Sequence, residues 1–212
     1  MNRKSKIFIN IGLLLLMAAL CLTVYNLWDE ARASKVVDNT LVALMSQIPR
    51  EASLTDSLTE QTSLGKDERI IPDYILDPHR DMPYILVDDH AYIGVLEIPS
   101  QDLLLPILSD WDYSKLKISP CRYTGSAYLD NFVILAHNYA SHFGHIKDIN
   151  IGESIFFTDI DGNIFSYQVV ELESLQSTDV EEIKSGDWDL TLFTCTIGGQ
   201  QRIAVRCERE SE

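Results

Sequence analysis

The chain reads as a mostly β protein, a closed or nearly closed barrel of about eight strands with a few short helices. An N-terminal transmembrane helix and a helical stem precede the barrel. Three observations carry this reading. From Ala91 onward, short runs of β-branched, aromatic and aliphatic residues recur at close spacing. Turn residues such as Asp161-Gly162 and Gly198-Gly199 separate them, and no long amphipathic helix intervenes. Ahead of them, Ile7 to Leu27 holds no charged side chain and spans roughly 30 Å as a helix, one hydrocarbon thickness.

Arg3, Lys4 and Lys6 precede the apolar run, and Asp29 and Glu30 follow it. The positive-inside rule then leaves the N-terminus in the cytoplasm and the chain after Trp28 outside the cell membrane. Tyr25 and Trp28 fall at the far interface. An A-x-A match at Ala31-Arg32-Ala33 offers cleavage as a signal peptide instead. The apolar run is too long for a signal h-region, and charges crowd that site, so an uncleaved anchor is expected.

Residues 1–28 form the cytoplasmic tip and anchor, 29–83 a helical and irregular stem, and 84–212 the β-barrel. Within the stem, Val37, Leu41, Leu44, Met45 and Ile48 recur at helical spacing and Pro49 closes the helix. Glu51 to Glu68 is rich in Ser, Thr, Asp and Glu and reads as a stem or loop. Pro72, Pro78 and Pro83 then punctuate an irregular stretch.

Tyr92–Pro99 and Leu103–Leu108 read as a hairpin. Further strands are expected over Asn131–Ala136, Ser154–Thr158, Ile164–Leu175, Thr191–Thr196 and Arg202–Cys207, with one short helix over Val180–Lys184.

The net charge is −15, and because the first 28 residues carry three positive charges and no acid, the remainder stands at −18. So acidic a body is repelled by nucleic acid and by anionic lipid headgroups. Cys121, Cys195 and Cys207 lie beyond the apolar run, which also holds Cys21. An odd exterior count leaves at least one thiol unpaired, or all of them. A Cys195–Cys207 bridge would demand Cα atoms within about 7 Å, which their unequal distances from the intervening turn disfavour.

Cys195 ends one strand-like run, and Arg202 begins the next, seven residues on. His137 ends another, Asn131 to Ala136. A thiol needs a base or an imidazolium beside it to act as a nucleophile, and the oxyanion that its attack creates needs a positive donor. Cys195, His137 and Arg202 supply those three roles. Arg206 shares a strand face with Arg202 and is the rival guanidinium, expected among the substrate-binding residues in support of the surrounding wall. Asn138 either orients His137 or caps its loop. Neither cofactor nor metal is called for. His137, His142 and His145 lack a completing thiol or carboxylate, and Asp159-x-Asp161-Gly162 lacks the later ligands of a calcium loop.

With these residues in view, the chain resembles the sortase family, the membrane-bound cysteine transpeptidases of Gram-positive bacterial surfaces. Thr191-Leu192-Phe193-Thr194-Cys195 matches the family's Thr-Leu-x-Thr-Cys signature, and Thr194, which resembles the family threonine, is expected to offer a hydroxyl or backbone donor beside the substrate. Arg202 is followed by an apolar triplet, Ile203-Ala204-Val205, as the family's arginine is. Gly94-Val95-Leu96-Glu97-Ile98-Pro99, the Leu105-Pro106 pair and the Tyr123-Thr124-Gly125-Ser126 turn are similar to its opening strands and pre-histidine turn. The resemblance covers about Tyr84 to Arg206. Asn138 and His142-Phe143-Gly144 after the histidine, with the helical extension, look more like class B than class A.

The resemblance implies a thioester on Cys195, formed by cleaving the C-terminal sorting signal of a surface protein and resolved by an amine of a cell-wall peptide or a pilin lysine. Side chains between Glu173 and Leu190 are expected to read the signal. Two other readings stand beside it: a non-catalytic, membrane-tethered binding domain, and an L,D-transpeptidase-like enzyme, whose Ser-His-Gly-Cys run is absent.

Overall fold

The structure, a computed structural model, describes residues 3–49 and 71–210. The stem expected over residues 51–68 lies outside them. A single helix, α1 (Arg3–Met45), runs unbroken from the apolar segment into the amphipathic one. Its first part is apolar, exposed and long enough to cross a membrane. Its second part docks on the barrel, burying Ala33, Val37 and Leu44, and the chain beyond buries Ile48. The spacing of those residues puts them on one stripe of the helix.

Among the described residues nine strands follow, with one short α-helix ahead of them and another between the seventh and eighth. β1 (Ile85–Val87) is a short pairing at the start of β2 (His90–Ile98), and β3 is Leu103–Leu108. Next come β4 (Cys121–Thr124), β5 (Phe132–Ala136), β6 (Ser154–Asp159), β7 (Ile164–Gln176), β8 (Leu190–Cys195) and β9 (Gln201–Arg209). The helices are α2 (Asp73–Leu76) and α3 (Val180–Lys184), the latter where the sequence places it.

The strands order as β1-β2-β3-β4-β5-β8-β9-β7-β6, and β6 pairs back onto β2. That pairing closes an eight-stranded barrel, so the closed form of the expected fold is the one observed. Closure requires Gly94, whose φ of 158° is ordinary extended backbone but whose missing Cβ leaves room for the carbonyl of Thr158, 2.2 Å from where that Cβ would stand. Most neighbours are antiparallel; β3 and β4 meet in parallel at one residue pair, and β5 and β8 run parallel over five.

The β5–β8 pair matters most here. Its register sets Ala136 opposite Thr194, so His137 and Cys195 leave neighbouring strands at the same barrel end. Phe132, Ile134 and Ala136 point into the barrel with Leu190, Leu192 and Val205. Val133, Leu135, Phe193 and Ala204 form a second cluster with Leu116, Ile183 and, from the docked helix and its end, Leu44 and Ile48. Strand alternation thus gives two apolar faces, one filling the barrel and one covered from outside.

Candidate active site

Cys195 closes β8 and faces Arg202 directly across the antiparallel β8–β9 ladder. The intervening turn needs both Gly198 and Gly199, with φ of 86° and 71°, in the left-handed region glycine adopts without strain. His137 follows β5 on the other side of β8. All three side chains line one cavity of about 540 Å³ with Asn138, and Trp111, Tyr123, Phe193 and Ile183 make much of its apolar wall. Tyr123 stacks edge-on against Phe193 at 5.2 Å and tilts against Trp111 at 5.4 Å. Such a trough suits an extended peptide with an aliphatic side chain.

His137 is half-buried, and that burial pulls its pKa below the ordinary histidine value. Its Nδ1 lies 3.0 Å from Oδ1 of Asn138. Donation from Nδ1–H to that oxygen leaves Nε2 as the nitrogen free to exchange a proton. Tyr139 stacks face to face on the imidazole, 4.1 Å away and 7° from parallel. Arg202 donates through Nη1 to the carbonyls of Gly199 and Gln201, at 3.2 and 3.4 Å. Its Nε and Nη2 make no hydrogen bond among the described residues. Those two donors remain for an anionic oxygen. Cys195 is partly exposed and unbridged. Cys207 is buried and pairs in the ladder with Leu190, five positions below the Cys195 rung.

The remaining expected residues have other occupations. Thr194 is buried and its hydroxyl donates to the carbonyl of Ala136 at 2.9 Å. It ties β8 to β5 one residue before the histidine, and its hydroxyl proton is engaged by that carbonyl. Arg206 requires a correction as a substrate contact. Only 2% exposed, it pairs with Glu173 at 2.9 Å and donates to the carbonyls of Glu182 and Ile183 and to Thr191 Oγ1. The guanidinium fastens α3 to the sheet, and so supports the wall that Ile183 lends to the cavity.

The apolar wall was only partly readable beforehand. Phe193 lies two residues from Cys195 on the same strand face, a signal the strand period carries. Trp111 and Tyr113 lie in a loop, and nothing local marks them as lining the cavity.

A sequence profile of the sortase domain matches residues 96–210, over half of the chain. No curated protein matches in sequence. Among solved structures, the chain is similar to sortase C1 from Streptococcus suis, at 25% identity and a TM-score of 0.51 over 58% of this chain and 75% of that one. It is similar to the pilus island 1 sortase C2 of group B Streptococcus at 24% identity, with a TM-score of 0.51 over 59% and 77%. A lid mutant of sortase A from Corynebacterium diphtheriae matches at 23% and 0.50, over 57% and 70%. These likenesses carry the fold, and their class A and C names give no support to the class B-like expectation.

Proposed function

The chain belongs to the sortase family and is an enzyme of the sortase transpeptidase kind; from that premise we propose that Cys195, His137 and Arg202 carry its chemistry at the membrane surface. The thiolate of Cys195 attacks the scissile carbonyl of a sorting signal, and the tetrahedral oxyanion is held by the free donors of Arg202. His137 gives a proton to the departing amine, and a thioester is left on Cys195. An incoming amine then loses its proton to His137 and displaces the thiolate, forming a new amide bond.

Residues 1–28 serve as tip and anchor, 29–83 as stem and 84–212 as the catalytic barrel. The N-terminus is cytoplasmic, and the barrel faces surface proteins that bear sorting signals. Cell-wall peptide or a pilin lysine is the acceptor. The pneumococcal sortase C among the similar structures is described with pilin substrate specificity, which makes a pilin lysine the acceptor to try first. The apolar trough beside Cys195 takes the hydrophobic residue of the signal, and Asn138 keeps the imidazole in its working tautomer.

One observation carries this reading: the Cys195–Arg202 rung and His137, brought from β8, β9 and β5, border a single cavity. The test is transpeptidation of sorting-signal peptides with a lysine-bearing peptide. Wild-type protein yields the amide product, and Cys195→Ala yields none while keeping its circular dichroism. Product formation by Cys195→Ala would remove the proposed nucleophile.

A further inference from the structure

The tyrosine that stacks on His137 has a second partner, and it belongs to the anchor helix. Tyr139 Oη donates to Asp29 Oδ2, 110 residues earlier in the chain. Beside it, Glu30 Oε1 accepts the backbone N–H of Ala140 at 2.8 Å. Asp29 comes two residues after the apolar run, roughly 3 Å farther along the helix. The carboxylate is only 13% exposed although it sits on the surface of a helix. Burial, and then the bond to Asp29, push the Tyr139 phenol well above its ordinary pKa, so it stays a protonated donor.

Resting on the transpeptidase reading above, we propose that the membrane-exit turn of α1 is part of the catalytic apparatus. In it, Asp29 and Glu30 fix the loop after β5, and Tyr139 is a positioning residue that holds the imidazole of His137. The physical argument has two steps. A ring 4.1 Å away and nearly parallel blocks rotation of the imidazole out of its plane, which keeps Nε2 aimed and Nδ1 on Asn138. The Asp29 carboxylate, held by the phenol, adds a negative charge near the ring and favours its protonated form.

The charged and titratable groups around His137 come from several elements. Asp29, Glu30 and Arg32, which pairs with Asp29 at 3.4 Å, are on α1, Lys117 is in the loop before β4, Cys195 and Arg202 are on β8 and β9, and Tyr139 and His142 share the loop after β5 with His137. Lys117 opposes Asp29 in its effect on the ring. Neither Tyr139 nor Asp29 lines the peptide cavity, so binding of the signal should not depend on them.

The experiment uses the full chain in nanodiscs, comparing wild type with Tyr139→Leu, Tyr139→Phe and Asp29→Asn. Two quantities are read: kcat and KM with a sorting-signal peptide and an amine, and the titration midpoint of His137 by NMR with labelled histidine. Tyr139→Leu is expected to lose roughly tenfold in kcat, part of the 10²–10⁴ that a positioned acid–base supplies. Tyr139→Phe, which keeps the stacked ring, loses less. KM stays within about twofold in each. In Asp29→Asn the His137 midpoint moves to lower pH, because a charge that favoured the imidazolium is gone.

Unchanged kcat in all three variants with an unmoved His137 midpoint would overturn the proposal. A raised KM with wild-type kcat would overturn it too, by making Tyr139 a substrate contact. Should wild type transfer no peptide, the transpeptidase reading fails, and the His137 midpoint in Asp29→Asn alone decides whether the anchor turn is coupled to the histidine.

Discussion

The two ends of the β8–β9 ladder carry the same residue type to opposite uses. Near the turn, Arg202 faces Cys195 across one rung, with its Nε and Nη2 bonded to nothing among the described residues. Four residues along the same strand face, Arg206 is sealed beneath α3 and divides its donors among a carboxylate, two carbonyls and a hydroxyl. What separates the proposed clamp from the fastener is occupancy: every nitrogen of Arg206 is bonded within the protein, whereas two of Arg202's are open to an anionic oxygen. The open end pays for availability with exposure, and the closed end gives rigidity to the wall that shapes the cavity.

The sharpest way to break this contrast is to remove each arginine in turn. Arg202→Ala is expected to cost 10²–10³ in kcat, about what one oxyanion donor supplies, with little change in melting temperature. His137→Ala should fall by about 10²–10⁴ on the same measurement. Arg206→Ala is expected to do the reverse. It leaves Glu173 and the carbonyls of Glu182 and Ile183 without their partner, a loss of roughly 3 kcal/mol in stability. Its activity per folded molecule stays far above that of Arg202→Ala. Equal catalytic losses at 202 and 206, read by steady-state kinetics beside a denaturation curve, would erase the distinction.

A smaller effect separates two histidines of one loop. His137 looks into the cavity, whereas His142 is fully buried with neither ring nitrogen hydrogen-bonded among the described residues. Burial, reinforced by His137, lowers the His142 pKa to about 4. The sign follows from proton counting. Between about pH 6.5 and 4 the unfolded chain binds a proton that the folded one refuses, so stability falls as pH drops through that window. The fall amounts to at most about 3 kcal/mol, and His137, lowered in the same direction by its own burial, adds to it. In His142→Phe this acid-side loss should shrink, seen as a smaller drop in melting temperature between pH 7 and pH 4.5.

Much of the site was legible because it is local. The Thr191–Cys195 run, the arginine with its apolar triplet, and the strand before His137 each declare themselves within a few residues. The barrel was legible as a count of strands, though not in full. β4 follows Pro120, spans four residues and holds β3 by a single pairing, too little for periodicity to register. β1 is three residues long. Strand period puts Arg202 and Arg206 on one face and leaves open what covers that face. What covers Arg206 is α3, placed by tertiary packing. The Asp29–Tyr139 contact joins positions 110 residues apart, and no local pattern announces it.

The central claim is that the open end of the ladder performs acyl transfer through Cys195. Intact-mass analysis of the full-length protein, incubated with a pool of sorting-signal peptides without amine, tests it most directly. The account predicts an added mass equal to the N-terminal peptide fragment, located on Cys195, absent from Cys195→Ala and discharged by added amine. No adduct, together with a Cys195 inert to iodoacetamide in the folded protein, would contradict it.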